Sequence, residues 1–543
     1  MRLATRRRMT SGAAALARGL LALVLLYGLA VLPHTPGGFA QPSWWPLPAE
    51  TAVIALLALL LPRAGFNLLR VVVTLAAALV LALKLADLGT FAAFNRGFNP
   101  LLDAQLPRFG WNVLSHSIGT GLALIASAGA VLLLAITLAL LFWTLGGLRD
   151  WPRTARRILA GMSLLGLATW LLPALMWPQR APLLADAATT RLVGARGVQI
   201  VASARDLARF RQTLAADSQS PAPEPLFKTL ADKDVLLVFV ESYGRSAIDR
   251  PLYGDVIKPR LATFQHEIGA AGFHARSGWL TSPTFGGQSW LAHATLLSGL
   301  WIDNQPRYAA LIDSDRFSLN RLFAHAGWHT AAVMPAITRA WPEGDWYGYD
   351  ATLGAADLGY RGRPFNWITM PDQYTLAAIQ RDLLTPGDRP PVMIETALIS
   401  SHAPWTPIPP LLDWHTIGDG RVFNKYADAG DPPEVVWQDY DRVRAQYRKA
   451  IDYSLQTLAS FIATRANDDL VVIILGDHQP APLVTGDNAS RDVPIHIIAH
   501  DPAVLEAIGG WHWAAGMTPG DGTPVWRMDA FRDRLIEVFS RPH

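Results

Sequence analysis

Two hydrophobic patterns divide the chain. Long apolar runs crowd the first 180 residues, and short apolar runs ending in polar residues fill the rest. Five long runs stand out, at about 16–33, 45–62, 67–90, 118–146 and 157–177. A bilayer core of ~30 Å takes about 20 apolar residues in helical form. All but the second run reach that length easily, and the second needs Trp44 and Trp45 to extend it. The pattern predicts a bundle of about five transmembrane helices over residues 1–180. The stretch 91–116 mixes aromatic, basic and Pro residues. It reads equally as an amphipathic segment in the interface or as a loop.

Basic residues orient the bundle. Arg2, Arg6, Arg7 and Arg8 precede the first run, Arg63 and Arg70 flank the second loop, and Arg149, Arg153, Arg156 and Arg157 fill the fourth. The loop from His34 to Pro46 has no Lys or Arg. Basic residues favour the cytoplasmic side, so with five spans everything after Trp177 lies outside the cytoplasm. A cleaved signal peptide at the first run is disfavoured, because the basic pattern requires an odd number of spans.

Residues 181–227 are polar, end in SQSPAPEPLF and read as a linker. Beyond them the period changes. DVLLVFVESYG (234–244), PVMIETALISSHAPW (391–405) and DDLVVIILGDHQP (468–480) are short apolar runs, with helical patterns such as 441–465 between them. Continuous runs of this kind suit strands buried on both faces of a parallel sheet. Residues 228–543 are therefore expected to form an α/β domain with a mostly parallel central sheet. The MDAFRDRLIEVFS segment near the end has a short helical pattern.

Composition sharpens this division. Hydrophobic residues make up 51% and charged residues only 17%, against about 25% charged in soluble domains. The formal net charge of +3 excludes a strongly basic nucleic-acid binder. With Cys 0, disulfides, thiolate metal sites and cysteine nucleophiles are excluded.

In open α/β sheets, ligands bind beyond the carboxyl ends of the strands. The three apolar runs end in Glu241-Ser242, in Ser400-Ser401-His402 and in Asp477-His478. Glu, Asp and His suit Zn²⁺ or Mn²⁺. Alone, each would read as a helix cap or a satisfied surface group, but three strand ends together point to a site. TSPTFGGQSWLAHATLLSGL (281–300) supplies a hydroxyl: Gly286-Gly287 permits a tight turn, and Ser289 opens a helical pattern. Ser289 reads as a nucleophile at a helix N-terminus or as a plain N-cap, and spacing leaves both open. His274, His293, His325 and His329 lie among apolar residues and read as packing or surface groups, and Asp492 and Arg491 as loop contacts. His496 and His500 follow the Asp-His pair by about one strand, within possible reach of the site.

VFVESYG, GGQSW followed by LLSG, SSHAPW and LGDHQP, set after membrane spans, resemble the alkaline phosphatase/sulfatase superfamily. The branch they resemble is that of lipoteichoic acid synthases and bacterial phosphoglycerol transferases, over about 228–500. The resemblance implies a sulfatase-like α/β domain and one divalent metal ion, Mn or Zn. It implies Glu241, Ser289, Asp477 and His478 as metal ligands, with Ser289, usually Thr in that branch, as the nucleophile. His402 matches a histidine that contacts the substrate phosphate and serves catalysis. Arg339 and Trp341 fall at a head-group-binding pair whose order is reversed here, and a further histidine of the branch is missing near Met334. The sulfatase (C/S)-x-P-x-R motif is absent after Ser289. Leu398 stands where a second metal site would need Asp. The lipid A phosphoethanolamine transferases are cysteine-rich, unlike this chain.

The implied activity is transfer of a phospholipid-derived head group, phosphoglycerol or similar, through a phospho-serine to an envelope glycan or polymer. Phosphatidylglycerol is the favoured donor and a glycan or polyol phosphate the acceptor. The implied location is a bacterial inner (cell) membrane, multi-pass, with the catalytic domain extracytoplasmic or periplasmic. Two alternatives are a phosphoric-ester hydrolase that uses water as acceptor, and a non-enzymatic envelope module that keeps the fold.

Overall fold

The computed structural model describes residues 2–40, 47–176, 185–217, 226–366, 368–385, 387, 389–486 and 488–541. The chain forms two compact units, Met1–Ala92 with Arg96–Asp206, and Ala93–Asn95 with Leu207–His543.

The first unit holds α1 (Arg2–Val31), α2 (Ala49–Leu60), α3 (Arg63–Phe94), α4 (Leu106–Ile118), α5 (Thr120–Leu145) and α6 (Arg153–Met176). Among the described residues, four stretches are long and apolar enough to cross a membrane: Gly12–Val31, Arg63–Phe94, Thr120–Asp150 and Arg153–Leu172. The second predicted span, 45–62, is only the 12-residue α2. At ~1.5 Å per residue it is about 18 Å long. Pro48 stands at its N-cap and Pro62 follows its C-cap, and a proline stops a helix on either side. Trp44 and Trp45 lie outside the described residues. Part of the 91–116 stretch is helical, as α4.

The arginines gather at one end of this bundle. Arg18 donates to the Trp143 carbonyl at 2.8 Å, Arg70 to Phe142 at 2.7 Å, Arg149 to Leu61 at 3.2 Å and Arg156 to Leu59 at 2.8 Å. At the other end, Leu47 and Pro48 pair with Ala185 and Asp186. Short as it is, α2 therefore runs from one end to the other, and the chain leaves α6 at the end away from the arginines. Lys84, buried, donates to the Leu29, Ala30 and Leu32 carbonyls and so satisfies the C-terminus of α1.

The 181–227 stretch contains a 30-residue helix, α7 (Ala188–Asp217). Its polar sequence hides it, yet it is rich in Ala, Arg and Leu and has no Pro, a composition that favours helix. Most of SQSPAPEP lies outside the described residues.

The second unit is built on a 9-stranded sheet. Its strands are β1 (Asp234–Val240), β2 (His274–Thr281), β3 (His329–Met334), β4 (Ala351–Gly354), β5 (Val392–Leu398), β6 (Leu470–Gly476), β7 (Asp492–Ala499), β8 (Ala514–Ala515) and β9 (Val525–Arg527). The order is β8-β2-β7-β6-β1-β5-β3-β4, with β9 beside β2. From β6 to β4 the neighbours are parallel, while β7 runs antiparallel to β6 and β2. The sheet is mostly parallel, as expected.

Alternation along the central strands divides the core between two faces. Leu236, Val238 and Val240 join a layer with Val472, Ile474 and helices α8 (Pro251–Ala270) and α10 (Tyr440–Arg465). Val235, Leu237 and Phe239 join the opposite layer with Val471, Ile473, Leu475 and helices α9 (Ser289–Ser298) and α11 (Ala530–Ser540). The three strands read from the sequence are the adjacent β6, β1 and β5, so their carboxyl ends lie side by side.

Candidate active site

Those strand ends meet the start of α9. Gly286 and Gly287 take φ of 72° and 147°, and Gln288 is left-handed at 66°. Glycine adopts such values without strain, and the turn delivers Ser289 as the first helical residue. Gln288 holds the N-cap position without a side-chain cap. The N-cap reading of Ser289 is thereby corrected. Its hydroxyl points away from its own helix, donating to Glu241 Oε2 at 2.9 Å and lying 3.2 Å from His478 Nε2.

Glu241, Asp477 and His478 are all buried, and one ligand atom from each lies within 4.8 Å of the others. Backbone N–H groups of Ser242 and His478 donate to Asp477 Oδ1 at 2.8 and 2.7 Å. This fixes the carboxylate and leaves Oδ2 turned toward His478 Nε2 at 3.6 Å. The His478 Nδ1 lies 2.8 Å from the Gln479 carbonyl. A carbonyl only accepts, so Nδ1 carries the proton and Nε2 presents its lone pair. His402 is set the same way, with Nδ1 2.7 Å from the Ala403 carbonyl. Ser242 adopts a positive φ of 58°, a conformation that its Asp477 bond and the Tyr447 hydroxyl on its carbonyl hold in place.

The electrostatics suit a cation. Burial, followed by the neighbouring Glu241 carboxylate, pushes the Asp477 carboxyl well above its usual range. For Glu241, burial acts upward, but His402, His478, Asp477 and the Ser242 hydroxyl outweigh it and hold the group well below that range. Two carboxylates this close cannot both ionise cheaply unless a positive charge joins them. Two carboxylates, an imidazole lone pair and a hydroxyl fit a divalent ion such as Zn²⁺ or Mn²⁺.

The structure brings Glu241, Ser289, Asp477 and His478 together, and His402 is among the groups that hold the Glu241 carboxyl down. Arg339 and Trp341 lie apart from that cluster. They line a cavity of about 620 Å³ beyond β3 and β4, together with Tyr349 and Asp357. His496 is a core residue, between Ser277 Oγ at 2.7 Å and the Tyr243 hydroxyl at 3.3 Å. His500 is partly exposed, 3.8 Å from Asp468. His293, read as a packing or surface group, is buried and stacked on Phe239, with Nδ1 2.7 Å from Glu395 Oε1. Its signal in the sequence was its place four residues after Ser289.

No family model matches the chain, and no curated protein matches it. Solved structures do. Lipoteichoic acid synthase LtaP from Listeria monocytogenes aligns at 14% identity over 61% of this chain and 78% of that one, with a TM-score of 0.40. Phosphoglycerol transferase GacH from Streptococcus pyogenes, in complex with sn-glycerol-1-phosphate, aligns at 12% over 62% and 81%, with a TM-score of 0.37. The soluble domain of lipooligosaccharide phosphoethanolamine transferase A from Neisseria meningitidis aligns at 11% over 60% and 92%, with a TM-score of 0.39.

Proposed function

We propose that the protein is a membrane-bound, metal-dependent phosphotransferase that moves a phospholipid head group onto an envelope acceptor through Ser289. The observation that supports this reading most is the convergence of the Ser289 hydroxyl on Glu241 and His478 at three adjacent strand ends.

Glu241, Asp477, His478 and Ser289 would hold one divalent ion, Mn or Zn. Such an ion supplies positive charge against the negative charge that develops on a phosphoryl group. The chain's own residues do the rest. Glu241 Oε2 takes up the direction of the Ser289 O–H and orients a lone pair of Oγ toward the substrate. Ser289 Oγ bonds to phosphorus as the bond to the diacylglycerol oxygen breaks, the Ser289 proton passes to that oxygen, and diacylglycerol leaves as the free alcohol with the head group on the serine. An acceptor hydroxyl then bonds to the same phosphorus, and its proton returns to the released Ser289 Oγ. His402, whose Nδ1 faces the Ala403 carbonyl, holds a phosphoryl oxygen or moves the proton of the acceptor. The N-terminus of α9 favours the negative charge near Ser289. Arg339 and Trp341 receive the more distant polar part of a substrate in the cavity they line.

Phosphatidylglycerol is the proposed donor and a glycan or polyol phosphate the proposed acceptor. The clustered arginines mark the cytoplasmic end of the first unit, so the catalytic unit lies outside the cytoplasm of a bacterial inner membrane. The test incubates full-length solubilised protein with phosphatidylglycerol labelled in its head group and Mn²⁺, beside Ser289→Ala. Diacylglycerol release should appear with the wild type and vanish in the variant. Label found on a glycan supports the transferase, and label released as free phosphoglycerol supports the hydrolase. No release of diacylglycerol by the wild type contradicts the choice of donor.

A further inference from the structure

One layer behind the candidate site lies a polar cluster that the proposed chemistry does not use. Glu395 sits in the middle of β5, buried to the same degree as its apolar neighbours. Its carboxylate faces the α9 layer and meets three donors. His293 Nδ1 lies 2.7 Å from Oε1, Asn320 Nδ2 is 3.5 Å from Oε2, and the Tyr349 hydroxyl also donates to Oε2. A carboxylate in a central strand is costly where an apolar residue would pack. The cluster therefore calls for a reason beyond packing.

The register supplies one. Phe239 on β1 and Glu241, just past the end of that strand, are two residues apart. Ser289 and His293 are four apart on α9, one turn. These two spacings are both about 6 Å, so each helical residue stands over one strand residue. Ser289 meets Glu241 at 2.9 Å, and the His293 ring stacks on Phe239 at 3.7 Å between centroids. On one side of β1, Glu395 pairs with Leu237. On the other side Phe239 pairs with Leu475, two residues before Asp477. Nδ1 of His293 is turned to Glu395. The His293 side chain keeps 10% of its surface open, against 1% for Glu395.

We propose that Glu395 and His293 form an outer support for the candidate cation site. Glu395 fixes the His293 ring, and the ring stacked on Phe239 seats α9 so that Ser289, one turn earlier, meets Glu241. Both are positioning residues and act through Ser289. This inference rests on the metal-binding reading of Glu241, Asp477 and His478, and leaves the donor and acceptor free. Tyr349, which also lines the cavity with Arg339 and Trp341, ties the support to that wall.

The test measures Mn²⁺ and Zn²⁺ affinity of the full-length solubilised protein by calorimetry. Wild type is compared with His293→Asn, Glu395→Gln and the double variant. Thr396→Ala serves as a packing control. Thr396 is buried on the opposite face of the same strand, where its hydroxyl donates to the Val333 carbonyl at 2.8 Å. Outer partners of metal ligands are each worth roughly 10–100-fold in affinity. The expected result is a loss of that size in each single variant, with the double no worse than His293→Asn, because both act on one path. Thr396→Ala should keep wild-type affinity even if its melting temperature falls. Single variants that bind metal within about twofold of wild type, while Glu241→Gln loses it, overturn this proposal and leave the metal site standing. Affinity losses that simply add, or an equal loss in Thr396→Ala, also overturn it. A wild type that binds neither metal overturns the metal-binding reading and this proposal together.

Discussion

His496 shows at the scale of a residue how burial sets chemistry. Burial holds its imidazole down at about 3. An unfolded histidine titrates near 6.5. Between these values the unfolded chain binds the extra proton, so stability rises with pH and is complete only above about pH 6.5. As pH falls through that window, this one group removes ~1.4 kcal/mol per pH unit. His496→Gln should therefore melt lower than wild type at about pH 8, yet lose less between about pH 7 and pH 5. Melting curves of both proteins across that range check it, and parallel curves would contradict it. The candidate site residues were legible because each stands where an apolar run stops: Glu241, His402, Asp477 and His478. His293 and Glu395 were not, because their partnership spans 102 residues. In MIETALIS a single Glu inside a strand carries no sign of what faces it.

At the scale of elements, the decisive feature is the match between one turn of α9 and two residues of β1. The sequence predicted both elements and their order but could not predict their register, which depends on side chains from three strands. Gly476 guards the same junction. A Cβ placed there would lie 1.9 Å from the Tyr243 carbonyl oxygen, in the turn that carries Ser242 toward Asp477. Relief requires backbone movement, so Gly476→Ala should cost about 3 kcal/mol and weaken metal binding together with stability. Thermal unfolding beside metal titration checks this, and a variant as stable as wild type contradicts it. The α2 helix teaches the opposite lesson. Its apolar run looked like a span, and the prolines that bracket it cut it to 12 residues.

For the whole molecule, the arginines at one end of the first unit and the chain's departure at the other carry the topology. A reporter that is active only outside the cytoplasm, fused after His543, should be active. An inactive reporter both there and at Val31–Pro33, with the same fusion active in the Leu61–Arg63 loop, would invert the proposed orientation. Alkaline washing should leave the full chain in the membrane fraction, since four stretches are long and apolar enough to span it. The α/β class and the division of the chain were visible in the change of hydrophobic period. The α7 helix was not, because its covered face carries Arg196, Gln199 and Ser203 up to mid-helix, where apolar residues would mark the period. The account turns on Ser289 as the group that carries the phosphoryl moiety. The most direct measurement mixes full-length protein, Mn²⁺ and phosphatidylglycerol without acceptor, quenches with acid and reads the peptide containing Ser289 by mass spectrometry. The account predicts that peptide heavier by one phosphoglycerol, in metal-dependent yield, and unmodified in Glu241→Gln. Head-group turnover with Ser289 never modified, or turnover surviving in Ser289→Ala, would contradict it.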